Sequence, residues 1–498
     1  MFSFLSNVGS YLIFLISNYF LALKLDPEVL GEWVFINSAI NLGFMFIAVG
    51  FDQIHYQYSG KKSLSNIFGA YLFIKVLLLT SNVAISLIII SILNLWSSPY
   101  ILLLLLLLFS KTIFQFGNIF ILNFKSNMKI FKAEIPMIFS YFSKSIIKIY
   151  IALNISSIPA PLLYICISYF IFDIVYLIII FLFSKKEFKI NKPEKQVILN
   201  YLKDARPLII QSIFSVIATN IGNLLLAFSF GHEYLSYFSL VHVYLIPSLI
   251  MITRSLYNVY LAFFSRYYEN NDLKSIKDTI YLIEKYSSIL FLCIILVVFL
   301  NGRYLFLLLL PNYIDSVNIL YIMIFIPFIF GTTRPYFSQL ISGKKQKKYA
   351  QINIITHFLI IFSISLSVFV NFILYQKALL DILGYALSQT LPWILWAVLS
   401  RWYCKKYYDI KTKNTIFSHL LISFLIFLIS FSFKEYILSF FFQSLFIINL
   451  ISFLFILSLF FGFLFLFKQL KKEDIKFILQ LLNYKNYLKS MREEFSSE

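Results

Sequence analysis

Fourteen apolar runs follow one another along the chain, each close to the roughly 20 residues that the hydrocarbon core of a bilayer asks of a helix. They lie at about 2–23, 30–50, 67–93, 99–123, 135–155, 160–184, 207–230, 234–256, 286–302, 316–342, 350–374, 382–402, 416–433 and 440–467. Lipid offers no partner to an unpaired backbone group, so runs of this length read as spanning helices. The expected fold class is an all-α polytopic membrane protein with about 14 transmembrane helices. Composition excludes the main alternative. The chain is 60% hydrophobic and 13% charged, whereas a water-soluble domain carries about 25% charged residues. No small-residue cleavage site follows the first run, so no cleavable signal peptide is expected.

The charge surplus is sided. Lys and Arg number 42 against 23 Asp and Glu, a net +19, which on a soluble chain would point to nucleic acid. With the N-terminus placed inside, 33 of those cations fall in inward loops and the tail, and four (Lys24, Arg303, Lys377, Lys434) fall outside. Cationic loops stay cytoplasmic. The expectation is a multi-pass protein of the cell (cytoplasmic or inner) membrane, both termini cytoplasmic, with no nucleic-acid partner. Outward loops are short, the longest near 303–315, and leave no room for the outer domain on which membrane glycosyltransferases and polymerases generally work. Cys166, Cys293 and Cys404 form no CxxC pair and the five histidines are scattered, so neither a disulfide framework nor a metal site is expected. P-loop, GxSxG and HExxH signatures are missing. The reading is therefore a non-enzyme with no catalytic residues and no cofactor.

The organisation expected is an N-lobe of six spans at 1–184, a cytoplasmic linker at 185–206, a C-lobe of six spans at 207–402, an accessory pair at 416–467, and a cytoplasmic amphipathic tail at 468–498. A repeat at an offset of 205 residues supports the two lobes: Glu28 and Leu30 match Glu233 and Leu235, Gly31 meets Ser236, Trp33 meets Phe238, and Asn18 meets Asn223. Six spans per lobe put both repeats in the same sense, related by an axis along the membrane normal, with a cavity between them.

Five cations sit within predicted spans: Lys75, Lys111, Lys144, Lys148 and Arg334. Arg254 lies near the inner end of the eighth span. Lys111 is too deep to snorkel, and Lys144 and Lys148, four apart, share a helix face. A charge facing lipid at the bilayer centre costs about 2.5–3.5 kcal/mol, so such groups turn to a wet cavity or to one another. Asp173 and Asp52 are the acidic groups available at depth, as charge partners or as sites of ion coupling. The cavity keeps a positive surplus, which attracts anions, and an ammonium suits phosphate. The candidate substrate-binding set, for a phosphate or diphosphate head group, is therefore Lys111, Lys144, Lys148, Lys75, Arg254 and Arg334. The competing reading pairs two lysines with Asp173 and Asp52 as structural glue. For Lys75, nearer the inner face, snorkelling fits equally, and Arg254 suits an ordinary inner-face anchor.

Four segments carry a family resemblance. The turn Leu25-Asp26-Pro27-Glu28-Val29-Leu30-Gly31-Glu32-Trp33 resembles LGPxxFGxW/Y, and Ala205-Arg206-Pro207-Leu208-Ile209-Ile210 resembles xxPLxL before the seventh helix. Pro311-Asn312-Tyr313-Ile314-Asp315-Ser316-Val317 resembles GxxYxxA, and Ser342-Gly343-Lys344-Lys345 resembles xxGK. In this order and spacing they resemble the polysaccharide and O-antigen (Wzx-type) flippases of the multidrug/oligosaccharidyl-lipid/polysaccharide (MOP, MATE-like) exporter superfamily. The resemblance implies a cavity-centred pair of six-helix lobes with two extra helices. It also implies export of a lipid-linked oligosaccharide to the outer leaflet by a monomeric transporter, alongside a polysaccharide polymerase and glycosyltransferases. Family members often place an acid in the seventh helix, where this chain has Asn220-Ile221-Gly222-Asn223, so ion coupling there is not expected. The alternative is a MATE-type multidrug cation antiporter, which would favour carboxylates in the first-lobe cavity.

Overall fold

Helix ends sit where the sequence places stop and start signals. Pro27 and Pro161 occupy the first turns of α2 (Pro27–Gly43) and α7 (Pro161–Ser184), where a missing N–H costs nothing. Lys24 closes α1 (Phe2–Lys24) beside the negative end of its dipole. In the computed structural model the remaining helices are α3 (Gly50–Ser59), α4 (Ile67–Ile92), α5 (Ile101–Ser126), α6 (Ile130–Leu153), α8 (Lys195–Phe230), α9 (His232–Met251), α10 (Leu273–Leu309), α11 (Ser316–Ser342), α12 (Gln346–Leu374), α13 (Ala378–Tyr408), α14 (Thr415–Tyr436) and α15 (Leu445–Leu466). The structure describes residues 2–47, 50–59, 67–92, 94–97, 100–127, 129–185, 192–251, 272–343, 345–374, 378–410, 415–438 and 444–471, with positions 253, 264, 267, 268 and 474. Among these there is no strand.

Among the described residues twelve helices are long and apolar enough to cross a membrane. The shorter apolar stretch Gly9–Lys24 of α1 and the 17-residue α2 account for the two other predicted runs. The chain is an all-helical, multi-pass membrane protein, as the runs imply.

The chain forms two compact units, one of Ser6–Ser248 with Lys345–Trp396, the other of Met1–Leu5, Leu249–Lys344 and Ala397–Glu498. In the first, α5 and α6 pack along α7, and α8 packs on α2, α3 and α12. The α5–α7 approach depends on Gly117, where a Cβ would stand 2.5 Å from the Tyr176 ring. Phe114, one turn before Gly117, stacks on Tyr176 with centroids 5.1 Å apart. In the second unit, α10 packs against α11, α14 and α15.

Hydropathy hides three departures. The run 30–50 is broken by a 3-10 turn at Phe44–Ile47 between α2 and α3. The helix α11 unwinds at Ile324, because Pro327 has no N–H to return to the Met323 carbonyl. Residues 195–206, part of the expected linker, continue helically into the seventh span through Pro207, since good helix formers need not be apolar.

Candidate functional site

The short connection between α6 and α7 makes them antiparallel neighbours, and a one-turn spacing on each puts Lys144 and Lys148 opposite Asp173 and Tyr169. The Lys144 ammonium donates to Asp173 Oδ1, and Ser110 of α5 donates to the other carboxylate oxygen. The Asp173 side chain is 1% exposed and that of Lys144 13%, so this is a buried, fully partnered pair. Lys144 also lies 4.8 Å from the ring of Phe114 and 5.0 Å from that of Tyr169.

Lys148 is handled differently. Its ammonium donates to Asn18 Oδ1 at 3.1 Å. The Asn18 amide nitrogen is already committed to the Phe14 carbonyl at 2.7 Å, which turns the oxygen toward the lysine. The rings of Phe14 and Tyr169 lie 4.9 and 5.5 Å away. Lys111 donates to Asn41 Oδ1 at 2.8 Å and to the Asn37 carbonyl at 3.3 Å, both on α2. Among the described residues neither Lys111 nor Lys148 meets a carboxylate. Amide oxygens accept from an ammonium without cancelling its charge, and the charge of Lys144 acts on both neighbours. Helices α1, α2, α5, α6 and α7 thus bring together three ammoniums and one carboxylate, a basin of positive charge.

The other predicted residues lie elsewhere. Lys75 is 4% exposed and does not snorkel: it pairs with Asp52 at 2.6 Å and donates to the Ile47 carbonyl at 2.7 Å. Tyr71 donates to the same Asp52 at 2.7 Å and stacks on His55, centroids 4.2 Å apart. His55 bonds Tyr201 of α8 at 2.9 Å and Asn123 of α5 at 3.1 Å. Lys75 and Asp52 therefore belong to a polar tie between α3, α4, α5 and α8. Arg334 stands on α11 with its guanidinium 6.0 Å from the Phe330 ring, in the other unit from the lysines. Arg254 lies outside the described residues, as does the tail beyond Asp474.

Sequence reasoning missed several ionic contacts. Arg401 reaches Glu284 at 3.2 Å, Thr333 Oγ1 at 2.7 Å and the Thr332 carbonyl at 3.0 Å. Lys125 pairs with Glu134 at 2.8 Å. Beyond α15, Asp474 accepts from Lys285 at 2.7 Å, from Tyr286 at 2.6 Å and from the Lys471 N–H at 2.7 Å. Burial pushes the Asp474 carboxyl up, but these donors outweigh it and hold the group below its ordinary range. A depressed folded value stabilises the fold above the unfolded pKa near 3.9 and is lost as pH falls through the folded one. Asp474→Asn is expected to speed amide exchange in the last turns of α15 by about tenfold, the worth of one charged hydrogen bond, read by hydrogen–deuterium exchange at neutral pH. Wild type should show the same loosening only in strong acid.

A cavity of about 530 Å³ opens on the unit that holds Lys111, Lys144 and Lys148, at the α1–α2 turn, lined by Lys24, Asp26, Glu32 and Tyr100 among others. None of the predicted site residues lines it. Among the described residues no three His, Cys, Asp or Glu side chains come together as a metal site.

No family model and no curated protein sequence matches the chain. Solved structures do. The lipid II flippase MurJ in an inward closed conformation superposes with a TM-score of 0.66 at 16% identity, over 93% of this chain and 99% of that one. A multidrug resistance MATE family transporter in an inward-facing conformation gives 0.65 at 12% identity, over 81% and 96%. A MOP superfamily transporter from Pyrococcus furiosus, described as having a binding pocket of reversed polarity, gives 0.58 at 13%, over 82% and 96%. The chain thus has the fold shared by the transporters of the MOP superfamily, MurJ and MATE proteins among them.

Proposed function

We propose that the protein is a flippase that carries a lipid-linked oligosaccharide from the cytoplasmic to the outer leaflet for surface polysaccharide synthesis, its isoprenoid phosphate or diphosphate head held by Lys111, Lys148 and Lys144. One observation carries this reading: two ammoniums inside the helical bundle are answered by amide oxygens and ring faces and not by carboxylates. A basin with that surplus favours an anion over a cation. The likeness to a lipid II flippase supports the substrate class. In this reading the lobes at 1–184 and 207–402 give alternating access, both termini are cytoplasmic, and the monomer acts without cofactor or covalent chemistry. It receives its cargo from glycosyltransferases and hands it to a polymerase.

Removing one charged hydrogen bond to phosphate costs about 1.5–3 kcal/mol. Lys111→Ala and Lys148→Ala are each expected to lower surface polysaccharide by about tenfold or more, with lipid-linked oligosaccharide accumulating on the cytoplasmic face and protein levels unchanged. Unaltered polysaccharide in both variants would discard the head-group site. A cation antiporter is the second reading, favoured by Asp173 and the rings of Phe114 and Tyr169, which could receive a drug ammonium in place of Lys144. Saturable binding of a cationic dye, lost in Asp173→Asn, would select it.

A further inference from the structure

The antiparallel register of α6 and α7 sets Lys144 and Lys148 of α6 against Asp173 and Tyr169 of α7. Lys144 meets Asp173. One turn on, Lys148 meets Tyr169. Had α7 repeated its carboxylate, both ammoniums would be cancelled. The chain places a ring there instead, 5.5 Å from the Lys148 nitrogen and 5.0 Å from that of Lys144. The ring is fixed in turn by Trp33 of α2, edge to face, with centroids 6.0 Å apart and planes at 80°. Phe14 faces the same Lys148 ammonium at 4.9 Å, and Asn18 supplies its hydrogen bond.

We propose that Tyr169 is the positioning residue of this anion site: its π-face seats the Lys148 ammonium while leaving the positive charge available to a phosphate group. The proposal rests on the basin being the head-group site and says how that site keeps its charge. An aromatic face attracts a cation through its quadrupole, most strongly where water is excluded. It brings no counter-charge, so the field an arriving anion meets is undiminished. A carboxylate at the same place would hold the ammonium more tightly and weaken its pull on an anion, as Asp173 does for Lys144. A merely apolar residue would leave a buried charge with less support, free to turn away from the basin. The ring also lies within 5.5 Å of the ammoniums of both Lys144 and Lys148, so one side chain faces two like charges.

The test uses the purified full-length protein and inorganic pyrophosphate as probe, with affinity measured by calorimetry over a range of salt. Wild type should bind, more weakly as salt rises. Tyr169→Phe keeps the ring and should bind within about twofold of wild type. Tyr169→Leu keeps an apolar side chain and loses the face, and should bind about tenfold more weakly, the upper range of a desolvated cation–π contact. Tyr169→Asp keeps every lysine yet should lose about a hundredfold, because the new carboxylate cancels Lys148. Wild-type affinity in Tyr169→Leu or Tyr169→Asp would overturn the proposal. So would a loss in Tyr169→Phe equal to that in Tyr169→Leu, or a wild type that ignores pyrophosphate. If Tyr169→Asp does not fold, the leucine variant decides. Translocation of a farnesyl diphosphate-linked saccharide in reconstituted vesicles answers the other question separately. Pyrophosphate binding with this pattern but no translocation would keep the role of the ring and remove the flippase.

Discussion

Asp173→Leu is expected to destabilise the protein by about 3–5 kcal/mol, the usual cost of leaving one member of a buried ion pair without its partner. The Lys144 ammonium would then face Phe114 and Tyr169 with no acceptor from α7, and Ser110 would lose the oxygen to which it donates. Lys144→Met alone should also destabilise, since Asp173 is 1% exposed and would keep only Ser110. The two changes together should recover most of the loss, because an apolar pair of similar volume replaces a buried ionic one at little net cost. Their coupling energy should therefore be large, of the order of 3 kcal/mol between contacting residues. Thermal melts of the four proteins in detergent supply the cycle. Additive losses would mean that the two side chains do not act as a pair and that the basin is organised otherwise.

The same cycle bears on what a sequence can disclose. The spans were legible because lipid imposes one simple demand on every run of about 20 residues, and among the described residues twelve helices meet it. The breaks were not. Phe44–Ile47 is as apolar as the helices around it, so its 3-10 turn leaves no trace in hydropathy; it lies between Gly43 and Gly50, whose weak helix preference is the local sign. At Gly50 a Cβ would stand 2.8 Å from the backbone nitrogen of Ile209, and that approach of α3 to α8 is a tertiary fact. Polar helical extensions such as 195–206 and 273–285 were likewise invisible to a search for apolar runs, though their helix formers were in view.

Within the basin, the depth of Lys111, Lys144 and Lys148 was readable from position alone. Which of them a carboxylate answers was not, because that depends on the register of α6 against α7. With the helices taken as antiparallel neighbours, the matched one-turn spacings of Lys144/Lys148 and Tyr169/Asp173 would have exposed both partners. A search confined to charged groups could find only Asp173, since a ring carries no formal charge. Glu284 escaped because it lies just before an apolar run, and Arg401 because it closes one; α10 and α13 bring them together. No pattern along the chain announces a contact across 117 residues.

Among the described glycines, Gly31 should be the costliest to exchange for alanine. A Cβ at Gly31 would fall 1.8 Å from the carbonyl oxygen of His232 and 2.5 Å from its carbon. Both are backbone atoms, so no side chain can swing aside. Nor can His232 retreat alone: it opens α9, and Gly231 before it holds φ at +93° while closing α8 onto Ala227. The helices α2 and α9, extensively packed, would have to part along their seam. Ordinary overpacking costs about 1–3 kcal/mol, and a forced separation of two backbones should exceed that range. If the chain works as proposed, by alternating access, Gly31→Ala should also lose transport. Gly462→Ala is the control of opposite sign. No atom lies within 4 Å of its added methyl, and an interior helical glycine exchanged for alanine gains about 0.5–1 kcal/mol. Melting curves of the two variants in one detergent should move in opposite directions from wild type. If Gly31→Ala melted with Gly462→Ala, the close approach of α2 to α9 would not be the arrangement on which the unit depends.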